Sequence, residues 1–134
     1  MAGERADLMR ALIEAFNARD IEAFLDLVHP DAEWLPIKGK LEGTVYRGHE
    51  GVRRFLAELA EDFEDVRLES PAVSERGDMV VVCGGYRARG VASGVELAFP
   101  LTQVAQFRDG KIVRLEAYSD PSEALEAGDA QPRG

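Results

Sequence analysis

The hydrophobic period of this chain changes once, near Asp65, and that change restricts its fold more than any other feature. Before it, apolar residues recur at helical spacing. Leu8, Leu12, Ile13 and Phe16 predict an amphipathic helix over residues 4–18. Val52, Phe55, Leu56, Leu59 and Phe63 predict another, opening at Gly48. After Asp65 the pattern alternates, which predicts strands over residues 66–73, 79–89, 95–108 and 111–119. Arg76-Gly77-Asp78, the stretch from Gly90 to Gly94, and Asp109-Gly110 supply the turns. Helices followed by a strand meander form an α+β order, not a βαβ alternation.

Between the two long helices, Asp20 stands where an N-cap belongs, with Glu22 in the first turn of a second helix. Phe24, Leu27 and Val28 give that helix its buried stripe, and His29-Pro30 ends it. Residues 32–37 read as a short strand with Trp34 and Pro36 on one face and Glu33 and Leu35 on the other. Residues 38–45 read as a loop punctuated by Gly39 and Gly43. Asn17 and Asp20 are capping and turn residues in this reading. Gly84-Gly85 marks a bulge or bend where the sheet curls, since no helix follows to make a phosphate loop. A helical turn over residues 123–127 closes a single domain, 1–127, and residues 128–134 form a disordered tail.

Charge narrows the partners. A net charge of −9 over 134 residues opposes binding to nucleic acid or an anionic membrane. No apolar run approaches the roughly 20 residues needed to span a bilayer, and the N-terminus lacks the apolar core of a signal peptide. Cys83 is alone, so no intramolecular disulfide forms and cysteine-based metal clusters are excluded. His29 and His49 lack matched carboxylates at ligand spacing, so no metal is expected. The expectation is a cytoplasmic protein.

Four segments, FNARDIEAF, PDAEW, YRGHEGV and FRDGKIVRLEAY, occur in an order and spacing that resembles the nuclear transport factor 2-like superfamily. The likeness is to its SnoaL-like and ketosteroid-isomerase-like bacterial branch and covers about Arg5 to Glu126. It implies a cone: three N-terminal helices packed on a strongly curved antiparallel β-sheet that encloses a pocket. It also implies a homodimer through the outer sheet face, where Val81, Thr102, Val104, Gln106, Glu116 and Tyr118 would lie. It names no reaction, because this fold hosts many.

Alternation assigns the inner face independently. Val80, Val82, Gly84 and Tyr86 share one face of their strand, and Leu97, Phe99, Leu101, Gln103, Ala105 and Phe107 share one face of the next. Val113, Leu115 and Ala117 do so in the last strand. The expected ligand-binding residues are therefore Phe16, Trp34, Tyr46, Phe55, Val82, Tyr86, Phe99, Leu101, Gln103 and Leu115. The steroid-isomerase set fails on the residues matched to it. The position of the family's base holds Pro36, that of its tyrosine donor Leu12, and that of its carboxylic-acid donor Gln103. An inward Asp-Arg-Asp set for epoxide hydrolysis is missing from the strand faces.

His49, in the first turn of the third helix, and Tyr86 remain as candidates for proton transfer. The leading expectation is a pocket protein that binds a small, largely apolar molecule without a cofactor. The alternatives are a cofactor-independent isomerase, polyketide cyclase or hydrolase in the same pocket, and a non-catalytic interaction domain.

Overall fold

The computed structural model of the chain describes residues 3–119. Two long helices, α1 (Glu4–Ala18) and α4 (Gly48–Asp62), lie where the helical period predicts them. Two short helices, α2 (Ile21–Asp26) and α3 (Ile37–Glu42), join them. The strands are β1 (Val28–Leu35), β2 (Tyr46–Arg47), β3 (Phe63–Arg76), β4 (Met79–Gly90), β5 (Glu96–Arg108) and β6 (Lys111–Tyr118). They form one curved, unclosed sheet in the order β2-β1-β6-β5-β4-β3. Its pairings are antiparallel except that of β1 with β6. This is the α+β cone expected from the sequence. No helix among the described residues is long and apolar enough to cross a membrane.

The departures from expectation have local causes. The first helix buries Met9 fully, with Leu12 and Ile13, while Leu8 is only half-buried. The second helix stops at Asp26, short of Pro30, and buries Phe24 and Leu25 rather than Leu27. Val28 already belongs to β1, because the Ile112 amide donates to the Leu27 carbonyl and draws the chain into the sheet. Between Val28 and Glu33 the register against β6 shifts. Pro30, which has no amide proton to offer a ladder, falls in that irregular stretch. Residues 38–45, expected as loop, contain α3. Its Lys40 donates to the Ala117 carbonyl at 3.2 Å and pairs with Glu116 at 3.0 Å, so tertiary contacts override the weak propensity of IKGKLE. Phe63 begins β3 instead of ending α4, and the first meander strand runs from Phe63 to Arg76.

Alternation in β6 breaks at one residue. Gln106 pairs with Arg114 but Phe107 pairs with Ile112, so Val113 is the extra residue of a bulge. Ile112 therefore joins Leu115 and Ala117 on the inner face, in the place expected of Val113. The bend near Gly84-Gly85 arises on the partner strand. β4 keeps continuous register with β5 there, while β3 shifts register between Glu69 and Ala72, with Ser70 at φ 49°. A Cβ at Gly84 would sit 3.0 Å from the Leu68 side chain, so glycine lets β3 close onto β4.

Packing follows from these placements. Met9, Val28, Val52, Val80, Val82, Ile112 and Leu115 are fully or almost fully buried in one core between helices and sheet. Asp20 caps α2 as expected, accepting from the Ala23 amide at 3.1 Å. Asn17, expected as a cap or turn residue, instead lies inside α1, whose C-cap is Arg19. Its amide donates to the Leu68 carbonyl at 3.0 Å and its oxygen accepts from the Leu68 amide at 2.9 Å, so a side chain of α1 substitutes for a ladder partner of β3. The helical turn expected over residues 123–127 and the tail, 128–134, lie outside the described residues.

Removing that clamp has a calculable cost. Asn17→Ala leaves both backbone groups of Leu68 short of a partner and should destabilise the fold by about 1–2 kcal/mol in urea denaturation. Asn17→Asp, which keeps the acceptor, should recover part of the loss; equal stability of Asn17→Ala and the parent would refute the clamp.

Candidate functional site: an apolar cavity under the sheet

The concave face of the sheet and the helices above it enclose a cavity of about 520 Å³. From the sheet side, Tyr86 of β4, Phe99, Leu101 and Gln103 of β5, and Leu115 and Ala117 of β6 line it. Trp34 and Pro36 close one flank. Met9, Leu12, Ile13 and Phe16 of α1 and Phe55 and Leu59 of α4 form the roof. The aromatic rings brace one another: Phe24 meets Trp34 edge-on at 5.5 Å, and Tyr86 lies 5.0 Å from Phe99. Of the residues expected to bind ligand, Phe16, Trp34, Phe55, Tyr86, Phe99, Leu101, Gln103 and Leu115 are on the wall.

Tyr46 and Val82 are not on the wall. Val82 is fully buried and pairs with Gln103, so it packs with the core beneath the cavity. Tyr46 is buried against Phe55, and its hydroxyl donates to Glu58 Oε1 at 2.6 Å. Burial, reinforced by that carboxylate, raises the Tyr46 pKa. Lys38 Nζ reaches Glu58 at 3.1 Å and the Tyr46 oxygen at 3.4 Å, which ties α3 to α4 beside the opening. The hydrogen bond to Glu58 in turn raises the Lys38 pKa, and that from Tyr46 lowers the Glu58 pKa.

His49 also lies off the wall. Its Nε2 sits 2.6 Å from the Val28 carbonyl, an acceptor, so Nε2 carries the proton and donates it there. The imidazole thereby joins α4 to β1 instead of facing the cavity. His29 is similarly occupied: its Nδ1 accepts from the Asp31 amide at 3.0 Å and its Nε2 lies 3.6 Å from Asp109.

The charged side chains on the wall are Lys38, Glu42 and Asp62. Glu42 and Asp62 are exposed, as is neighbouring Leu41 at 83%, so they mark the rim where the cavity meets solvent. Lys38, Glu42 and Leu41 carry no local signal of a site, because the helix that presents them is held by contacts distant in the chain. Leu12 and Ile13 were within reach of it, since the helical stripe that faces the sheet also faces the space beneath. The positions matched to isomerase chemistry, Leu12, Pro36 and Gln103, all reach the wall. Leu12 and Pro36 have no proton to exchange. Among the described residues no group of three His, Cys, Asp or Glu side chains is placed to hold a metal ion.

Three neutral polar groups on the wall take no hydrogen-bond partner among the described residues: the Trp34 indole N–H, the Tyr86 hydroxyl and the Gln103 amide. Burial pushes the Tyr86 pKa up to about 12, so near pH 7 this phenol is a neutral donor and not a base. An unfolded tyrosine loses its proton near 10, so the folded chain binds that proton more tightly between about pH 10 and 12. Stability should therefore fall as pH rises through that window, and Tyr86→Phe should flatten the fall in a denaturation series. An unchanged slope would show the hydroxyl to be hydrated.

The comparisons with known proteins agree with this architecture. The solved structure of TerC co-crystallised with polyporic acid shares 30% identity at a TM-score of 0.77, covering 95% of this chain and 99% of that one. An NTF2-like protein of unknown function from Burkholderia pseudomallei shares 26% identity at a TM-score of 0.78, covering 94% and 97%. A protein from Shewanella denitrificans, provisionally named a SnoaL-like polyketide cyclase, shares 18% at 0.74, covering 98% and 100%, which shows the common fold. No curated protein matches the sequence. The model of the SnoaL-like domain matches residues 9–115. The chain therefore belongs to the SnoaL-like family of the nuclear transport factor 2-like superfamily.

Proposed function

We propose that this protein binds a small, largely apolar ring compound in the cavity, without a cofactor. One observation carries the reading: about 520 Å³ of space is walled by apolar and aromatic side chains, with a few polar groups that have no partner among the described residues. That is the composition of a small-molecule site, in which apolar surface supplies affinity and placed hydrogen bonds supply orientation. The likeness to TerC, co-crystallised with polyporic acid, supports a small organic occupant.

A second reading, acid–base catalysis in the same cavity, is favoured by Tyr86. A phenol that stays protonated can donate to a carbonyl oxygen as negative charge develops there. The carboxylates on the wall, Glu42 and Asp62, are at the rim, so a substrate would have to bring its acidic C–H to the opening.

We also propose a homodimer through the outer sheet face. Met79, Val81 and Val104 form a second apolar cluster already buried there within one chain, and the half-buried Gln106, Glu116 and Tyr118 beside it would meet the partner. Sedimentation equilibrium should give twice the 14.7 kDa chain mass; a monomer at micromolar concentration would refute it.

A thermal-shift screen with polycyclic aromatics, steroids and terpenoids tests the binding reading. One class should raise the melting temperature, as ligation of the folded state requires. Ala117→Phe, which extends a side chain into the cavity, should abolish the shift while the protein still melts cooperatively. A shift that survives Ala117→Phe would place the ligand elsewhere. The bound compound should be recovered unchanged if the protein only binds; turnover lost in Tyr86→Phe, with binding retained, would instead establish catalysis.

A further inference from the structure

We infer that the ligand of this cavity is an elongated, uncharged aromatic compound with an oxygen acceptor at each end. This rests on the binding reading above and concerns the chemistry that the wall selects.

The unpartnered polar groups are not clustered. Tyr86 pairs with Phe99, and Gln103 lies four residues further along β5 on the same face. Four residues of extended strand separate the two levels by about 13 Å at about 3.3 Å per residue. Leu101 occupies the interval on that strand, Phe99 stands at the Tyr86 level, and neither offers a hydrogen bond. Trp34 stands near the Gln103 level, since it pairs with Leu115, which pairs with Ala105, while Gln103 pairs with Ala117. The Tyr86 end is the outer one, because Leu97, two residues beyond Phe99, is 37% exposed and also lines the cavity.

The wall therefore holds donors at an inner and an outer level, with an apolar stretch between and aromatic rings around it. The indole N–H can only donate, and the phenol and primary amide donate readily, so both ends call for acceptor oxygens. A group left unpaired on burial costs free energy, so a ligand with an oxygen at one end only, or none, forfeits affinity. Charge of either sign is disfavoured, since the apolar wall would strip its water without pairing it, and the rim adds repulsion for an anion. The carboxylates of Glu42, Glu58 and Asp62 outnumber the cations Lys38 and Arg54 around the rim, and Lys38 and Arg54 both pair with Glu58. Lys38 also pairs with Glu42. Among the described residues an anion thus meets no unengaged cation there.

Biphenyl, 4-phenylphenol and 4,4′-dihydroxybiphenyl form a test series with none, one and two terminal oxygens. Trp34 is the sole tryptophan and lines the cavity, so quenching of its fluorescence reports occupancy. Affinity should rise by roughly threefold to tenfold with each oxygen. Gln103→Leu and Tyr86→Phe should each remove about one such step from the diol while biphenyl binds no more weakly than to the parent, the measure that each variant keeps its cavity. Equal affinity across the series, or variants that weaken biphenyl as much as the diol, would overturn this inference and leave the binding reading in place. Failure of all three compounds to bind would overturn both.

Discussion

The structure depends on how its helices bridge the sheet. A curved sheet presents a concave apolar face that must be covered, and the helices cover it from its flanks. The α4 helix packs chiefly on β1 and α1 on β3, while neither packs closely on β5 between them. The Asn17 clamp on Leu68 holds one abutment, and the His49 bond to the Val28 carbonyl holds the other. Held apart in this way, the helices roof the middle strands without filling the space beneath. The cavity thus follows from packing geometry and from side chains of limited reach.

What makes the space chemically specific is the strand period. Residues that alternate along β5 put Phe99, Leu101 and Gln103 on one wall at successive levels. The next strand adds Tyr86 opposite Phe99, and burial raises the pKa of its phenol further above neutrality. The charged groups remain at the rim, where Lys38, Glu58 and Tyr46 fasten the short α3 helix beside the opening. An interior of rings and neutral donors under an acidic rim favours uncharged aromatic compounds.

Much of this was legible in the sequence, because periodicity is a local signal. The change from helical to alternating spacing near Asp65 gave the α+β class, and strict alternation in β4 and β5 placed Tyr86, Phe99, Leu101 and Gln103. What was not legible depended on distant contacts or on single-residue irregularities. His49 and Tyr46 were drawn toward the cavity because both flank the start of α4. Their partners, the Val28 carbonyl and Glu58, are remote in sequence and turn both side chains to structural work. The α3 helix is stabilised by Glu58, Glu116 and the Ala117 carbonyl, none of which its own sequence announces. The bulge at Val113 leaves no compositional trace, yet it exchanges Val113 for Ile112 on the inner face.

The most direct measurement is a crystal structure of the protein grown with a flat aromatic compound that stabilises it in solution. The compound should lie between Trp34 and Phe99, with its oxygens in hydrogen-bonding distance of the Tyr86 hydroxyl and the Gln103 amide. A cavity closed by its own Phe16, Phe55 and Phe99 side chains, with the compound bound elsewhere, would contradict the account.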